Sequence, residues 1–160
     1  MRLWLLCGCP GSGKTHFART VMMEGEGIKY ISRDEIRYSM VRSNEPYFSK
    51  ETAVFKEFAK QINEALDTED EYVSDVIADA THLNWSSRSK LLRALGILTE
   101  ERFYVDVIPV VMTTSFEESL RRNNTRTGRA CVPEKDLRRM YMSKTDPRND
   151  PFKYTAIMEV

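Results

Sequence analysis

The chain of 160 residues carries 24 basic and 24 acidic side chains, so its formal charge is zero. That balance argues against a protein that coats nucleic acid without selectivity, and an apolar share of 41% excludes a disordered chain. No apolar run approaches the roughly 18 residues of a membrane span, and three Cys cannot all pair, so one domain over residues 1–160 in a reducing, cytoplasmic compartment is expected.

Short apolar runs alternate with amphipathic segments along the whole chain. Residues 3–8 read as a buried strand, and residues 15–24 as a helix closed by Gly25 and Gly27. Residues 28–32 read as a second strand, with a helical start near Asp34. Ser49 is placed to cap a helix in which Phe55, Phe58, Ile62 and Leu66 recur at helical spacing. Residues 72–80 are apolar enough for a third strand, and Asn84 opens a helix with Leu91, Leu95 and Leu98 on one face. Residues 103–112 form the longest strand candidate. Ser115 with Glu118 makes a capping box for the next helix, and Pro133 occupies a first helical position before Leu137, Met140 and Tyr141. Residues 154–160 suit a last short strand. Strands separated by helices predict an α/β fold with a parallel sheet, helices on both faces and right-handed crossovers. Ligands then bind at the carboxyl ends of the strands, just after Gly8, Ser32, Asp79 and Met112.

Gly8-Cys9-Pro10-Gly11-Ser12-Gly13-Lys14-Thr15 matches the Gly-x-x-x-x-Gly-Lys-Ser/Thr pattern of a P-loop, between an apolar strand and an amphipathic helix. Small residues let backbone N–H groups close around phosphate oxygens at a helix N-terminus. Lys14 supplies a charge to the β and γ phosphates, and the Thr15 hydroxyl is a Mg²⁺ ligand. Cys9 contributes small bulk. Guanine-type signatures are absent. So is the acidic pair that closes the third strand in AAA-type ATPases, because Ala80 follows Asp79. A phosphotransferase is expected instead.

Asp34 follows the second strand and opens onto the same crevice, where a carboxylate can take the proton of an attacking hydroxyl. Arg37, one turn on, is within reach of an anionic group of that substrate. Asp is equally a favoured helix cap and Arg37 a solvated helix residue. Asp79 is a water-mediated partner of Mg²⁺, an orienter of Arg37, or another capping residue near Thr81 and Asn84. With His16 and His82 as the two histidines, no zinc-type cluster assembles. Zero net charge also hides a separated distribution. Seven acidic residues and no Lys or Arg fall in 64–79, and seven basic residues fall in 121–139. Within the second group, Arg126 sits in a polar loop placed to close over a triphosphate. Tyr38, Tyr47 and Phe48 either stack bases or pack as core and lid.

The P-loop, Arg33-Asp34-x-x-Arg37, Asp79-Ala80-Thr81-x-Leu83-Asn84 and Arg122-Asn123-x-x-Arg126 before Val132-Pro133 resemble, in order and spacing, the phage-type polynucleotide 5′-hydroxyl kinases. The resemblance runs from Leu3 to about Lys144 and implies an adenylate-kinase-like sheet of order 2-3-1-4-5. It implies ATP- and Mg²⁺-dependent phosphorylation of a 5′-hydroxyl on DNA or RNA. By position, Asp34 matches the general base and Arg37 the contact to the acceptor's 3′-phosphate. Lys14 and Thr15 match the γ-phosphate and Mg²⁺ ligands, and Arg122 and Arg126 the lid contacts to ATP. The family's downstream Asp-x-Asp-Gly-Thr phosphatase motif is missing, so no 3′-phosphatase activity is expected. Two other readings stay open: a P-loop kinase of a small-molecule, nucleoside or aminoacyl hydroxyl, and a nucleotide-dependent binding module without phosphotransfer.

Overall fold

A computed structural model describes residues 1–20 and 24–160. Five parallel strands form one sheet in the order β2-β3-β1-β4-β5: β1 (Arg2–Cys7), β2 (Ile28–Ser32), β3 (Asp75–Asp79), β4 (Asp106–Val111) and β5 (Met158–Glu159). The expected order is the observed one. Six α-helices are described: α1 (Lys14–Thr20), α2 (Arg33–Met40), α3 (Glu51–Leu66), α4 (Trp85–Ala94), α5 (Phe116–Asn124) and α6 (Glu134–Met142). The far end of the helix expected over 15–24 lies partly outside the described residues.

Both sheet faces are covered, which is why β1 and β3 read as continuous apolar runs rather than alternations. On one face Leu3, Leu5, Val76 and Ala78 pack with Phe58 and Ile62 of α3 and Leu91 and Leu92 of α4. On the other, Leu6, Ile77 and Val110 pack with Ala18 of α1. The register pairs Asp79 with both Leu6 and Ser32, so the chain leaves β1, β2 and β3 at one edge. That edge carries the P-loop, Asp34 and Asp79.

Several boundaries differ from expectation for local reasons. Ser49 does not cap α3: its N–H donates to the Pro46 carbonyl (3.0 Å) in a turn, and the helix starts at Glu51 after Lys50. Phe103 and Tyr104 are exposed ahead of β4, so their β-propensity does not lengthen that strand. β5 shrinks to two residues because Tyr154 is buried and donates its hydroxyl to Asp150 (2.7 Å). Asn84 caps α4 with a reciprocal Ser87 box. Ser115 accepts the Glu118 N–H, but the Glu118 side chain turns to Arg121 and Arg122 instead of completing a box. Pro133 stands one position before α6.

Sequence periodicity gave no hint of a buried ion pair behind the sheet edge. Arg88, fully buried, donates to both Asp150 oxygens (2.6 and 2.7 Å) and to the His82 carbonyl (2.9 Å). The pair ties the C-terminal segment to the loop that follows β3, and so to the side of the sheet that holds Asp79. Such pairs destabilise strongly when one partner is removed, because a buried charge is left alone.

Candidate active site

Gly11 and Gly13 give the loop after β1 its shape. Both take left-handed φ (81° and 97°), and a Cβ on Gly11 would stand 2.2 Å from the Ser119 carbonyl of α5. The loop thereby nests against α5 and delivers Lys14 as the first residue of α1. Lys14 donates to the Cys9 carbonyl (3.0 Å). Desolvation lowers its pKa, Asp79 and Asp34 oppose that shift, and Arg126 reinforces it. Cys9 is buried with Leu83 and Leu137, and burial raises its thiol pKa.

Two cavities meet over this loop. The first, about 410 Å³, is lined by Gly11, Gly13, Lys14, Thr15, Arg122 and Arg126, together with His16. The second, about 250 Å³, is lined by Lys14, Thr15 and Arg126 again, and by Asp34, Arg37 and Asp79. Pro10, Tyr38, Tyr47, Phe48, Glu51 and Arg129 complete much of its wall. Three residues expected to serve phosphate transfer therefore stand at the junction of a cation-rich chamber and a carboxylate-bearing one. A larger groove of about 630 Å³ between α3 and α4 brings none of these groups together.

At the end of β3, Asp79 accepts the hydroxyls of Thr15 and Tyr30, each at 2.6 Å. Burial first, then the bond to Asp79, pushes the Tyr30 pKa up to about 12, so the phenol stays a donor. The donor set suits Mg²⁺, which takes one or two protein oxygens and leaves the rest of its shell to phosphate and water. Among the described residues no group of three His, Cys, Asp or Glu side chains stands ready to hold a metal on its own. His82 is buried against Phe58 (ring centroids 6.2 Å apart). Burial, then Arg33, Lys14 and Arg88, pushes its pKa down to about 3, which keeps the ring neutral.

Asp34 follows Arg33 on the first turn of α2, whose N-cap is Ser32. Its carboxylate is exposed and accepts from Tyr47 (3.0 Å) and from Arg37. Asp34 does not cap the helix, because Ser32 does. Arg37 is almost wholly buried. Its Nε and Nη2 grip Glu51 (2.7 and 3.2 Å), and Nη1 donates to Asp34 and to Tyr47 (3.2 Å). Its guanidinium lies 4.7 Å from the Tyr47 ring centroid and 5.4 Å from that of Phe48. Burial lowers its pKa, but the Glu51 bonds and Tyr47 more than offset that and leave it raised. Arg33 shares Glu51 at 2.8 Å. Glu51, Tyr47 and Tyr30 are site residues that the sequence did not single out for these roles. Their spacings from Asp34 and Asp79 follow no helix or strand period.

The loop expected to act as a lid spans the end of α5 and the turn before α6. Asn123, fully buried, donates to the Val132 carbonyl (2.7 Å) and accepts the Val132 N–H (3.0 Å), closing the loop at its base. Arg126 stands on that loop with no ion pair among the described residues, whereas Arg122 pairs with Glu118 at 2.6 Å. Hydrogen bonds from Arg121 and Arg122 take the Glu118 pKa down to about 2. Among the described residues no helix is long and apolar enough to cross a membrane.

A family model described as AAA domain matches residues 3–147. A chain of the Pnkp1/Rnl/Hen1 RNA repair complex superimposes with a TM-score of 0.67 at 20% identity, over 89% of this chain and 43% of that one. The present chain thus spans less than half the length of that relative. A fungal RNA kinase gives 0.64 at 12% identity, over 99% and 73% of the two chains. A sugar kinase from Janibacter sp. HTCC2649 gives 0.62 at 15%, over 99% and 85%. These likenesses show a P-loop kinase-like α/β fold.

Proposed function

The chain belongs to the AAA domain family, and we propose that within it the protein is an ATP-dependent kinase of 5′-hydroxyl ends on DNA or RNA. That membership is compatible with a phosphotransferase, since kinases stand among the fold neighbours. A single carboxylate at the end of β3, bonded to Thr15 and Tyr30, occupies the place where a pair was sought. The observation that carries the proposal is the junction of two chambers at Lys14, Thr15 and Arg126, with Asp34 on the acceptor side. The motif resemblance supports a polynucleotide acceptor, as do an RNA repair complex and an RNA kinase among the fold neighbours.

In this reading the loop from Gly8 to Thr15 wraps the donor phosphates with backbone N–H groups, and Lys14 and Arg122 add charge. Thr15, with Asp79 behind it, would hold Mg²⁺, which when bound neutralises the phosphate oxygens. The acceptor 5′-hydroxyl approaches along the second chamber, and Asp34 takes its proton as the oxygen attacks the γ-phosphorus, the bond from that phosphorus to the β–γ bridging oxygen breaks and ADP leaves. Positioned base catalysis of this kind contributes about 10²–10⁴-fold. Arg37, held by Glu51, fixes the Asp34 carboxylate, and Tyr47 donates to the same oxygen. Arg126, at the junction and without an ion pair among the described residues, meets the charge on the transferring group.

The test incubates the protein with γ-labelled ATP, Mg²⁺ and a 5′-hydroxyl oligonucleotide, and label on the oligonucleotide is the expected result. Label on a sugar or free nucleoside with none on the oligonucleotide would favour a small-molecule kinase, the reading that the modest 250 Å³ of the acceptor chamber supports. ATP binding without transfer to any acceptor would favour a binding module.

A further inference from the structure

Five cations line the acceptor chamber: Lys14, Arg33, Arg37, Arg126 and Arg129. Their hydrogen bonds differ in a way that decides which of them can take an anion. Arg37 has its two-donor edge, Nε and Nη2, closed on Glu51, and its remaining nitrogen on Asp34 and Tyr47. Arg33 is paired with Glu51, and Lys14 is drawn onto the P-loop carbonyl of Cys9. Arg126 belongs equally to the donor chamber.

Arg129 differs from the rest. It reaches from the lid to the turn after α2, where Nη1 donates to the carbonyls of Val41 (3.1 Å) and Arg42 (3.0 Å). Its guanidinium lies over Tyr38 and Tyr47, 5.5 and 5.9 Å from the ring centroids. It forms no ion pair among the described residues, and its hydrogen bonds there all run through Nη1. Glu45, on the same turn, is engaged by Lys50 (3.0 Å) and the Arg42 N–H (2.8 Å). Two carbonyls and two aromatic rings therefore fix the guanidinium while its Nε–Nη2 edge stays open. A fixed planar fork with an open edge is the arrangement that binds phosphate in two parallel hydrogen bonds.

We infer that Arg129, rather than Arg37, is the residue that reads the acceptor's own phosphate: the group attached to the nucleoside that receives the phosphoryl group. The inference rests on the kinase reading above. It assigns Arg37 to holding Asp34 and gives Arg129 the choice between phosphate-bearing and phosphate-free acceptors. Because Arg129 stands on the lid, the same contact draws the lid down onto the bound acceptor.

Steady-state transfer from ATP to a nucleoside 3′-monophosphate is compared with transfer to the same nucleoside, in the native protein, Arg129→Ala, Arg129→Lys and Arg37→Gln. The native protein prefers the 3′-phosphate acceptor. Arg129→Ala raises KM for that acceptor and lowers the preference at least about tenfold, the scale of a lost charge-assisted hydrogen bond. Arg129→Lys, which keeps the charge and loses the fork, falls between. Arg37→Gln lowers kcat for both acceptors and leaves the preference standing. A preference unchanged in Arg129→Ala but lost in Arg37→Gln overturns the inference while the kinase reading survives. Failure of the native protein to phosphorylate any 5′-hydroxyl acceptor overturns the kinase reading and this inference with it.

Discussion

The two chambers that meet at Lys14 are built on opposite electrostatic plans. On the donor side, Lys14 leans on a backbone carbonyl and Arg126 has no acidic partner among the described residues. Positive charge there awaits a polyanion. On the acceptor side, Arg33 and Arg37 converge on the single carboxylate of Glu51, and Arg37 passes that constraint to Asp34. The charge of Arg33 and Arg37 is thereby balanced internally and works as scaffolding, whereas Arg129 on the same side has no acidic partner among the described residues. The difference teaches that counting arginines around a cavity says little about ligand charge. What matters is which edges of each guanidinium are already occupied.

Substitutions on the two sides should therefore fail differently. The largest effect is expected from Arg126→Ala, because an arginine supplied to a transferring phosphoryl group contributes about 10³–10⁵ in turnover. Single-turnover transfer should fall by that order while acceptor binding, measured by fluorescence anisotropy of a labelled oligonucleotide, changes little. Comparable damage to acceptor binding would erase the distinction between the chambers. Glu51→Gln comes next. Glu51 does not line the donor chamber, but its loss frees Arg37 to swing, and misplacement of a catalytic group by about 1 Å can cost 10²-fold. A kcat reduced on the order of 10- to 100-fold with the KM for ATP near native would sharpen the comparison, and a raised ATP KM would break it.

The pH profile adds a donor-side signature. Desolvation lowers the Lys14 pKa, so in the free protein its ammonium loses its proton below the ordinary lysine value of 10.5. Deprotonation removes positive charge as pH rises, so kcat/KM for ATP should decline on the alkaline side earlier than an exposed lysine would produce. Lys14→Arg should move that limb upward even where its activity is low, and an alkaline limb common to both proteins would assign it elsewhere. The smallest effect is expected from Tyr47→Phe, which removes one hydroxyl bond to Asp34 and one to Arg37. A net loss of about 1 kcal/mol for the hydroxyl as a whole corresponds to roughly fivefold in kcat. No change at all would mean that Arg37 alone orients the carboxylate.

The same contrast explains what was legible in the sequence. The donor side is a local structure: the eight consecutive residues Gly8 to Thr15 form it, Gly11 and Gly13 fix its left-handed turns, and Lys14 and Thr15 open the helix that follows. Asp79 was legible because it ends a strand, and Asp34 because it stands just beyond one, and the apolar runs of both strands are easy to see. The scaffold of the acceptor side was not, because Glu51 lies 14 residues from Arg37 across a turn, and Tyr30 reaches Asp79 from the neighbouring strand. Such partners meet through packing of α2 on α3 and pairing of β2 with β3, which no spacing rule anticipates. Strand edges misread for a related reason: Phe103 and Tyr104 carry the composition of a strand but stand exposed before one. The Arg88–Asp150 pair joins residues 62 positions apart and leaves no periodic trace.

The central claim is that Asp34 acts as a base on an acceptor hydroxyl beside nucleotide held by the P-loop. It is tested most directly by measuring ATP binding and transfer to a 5′-hydroxyl oligonucleotide in the same preparation of Asp34→Asn. Native ATP affinity with transfer lowered about 10²–10⁴-fold is expected. Transfer at the native rate in that variant would contradict it.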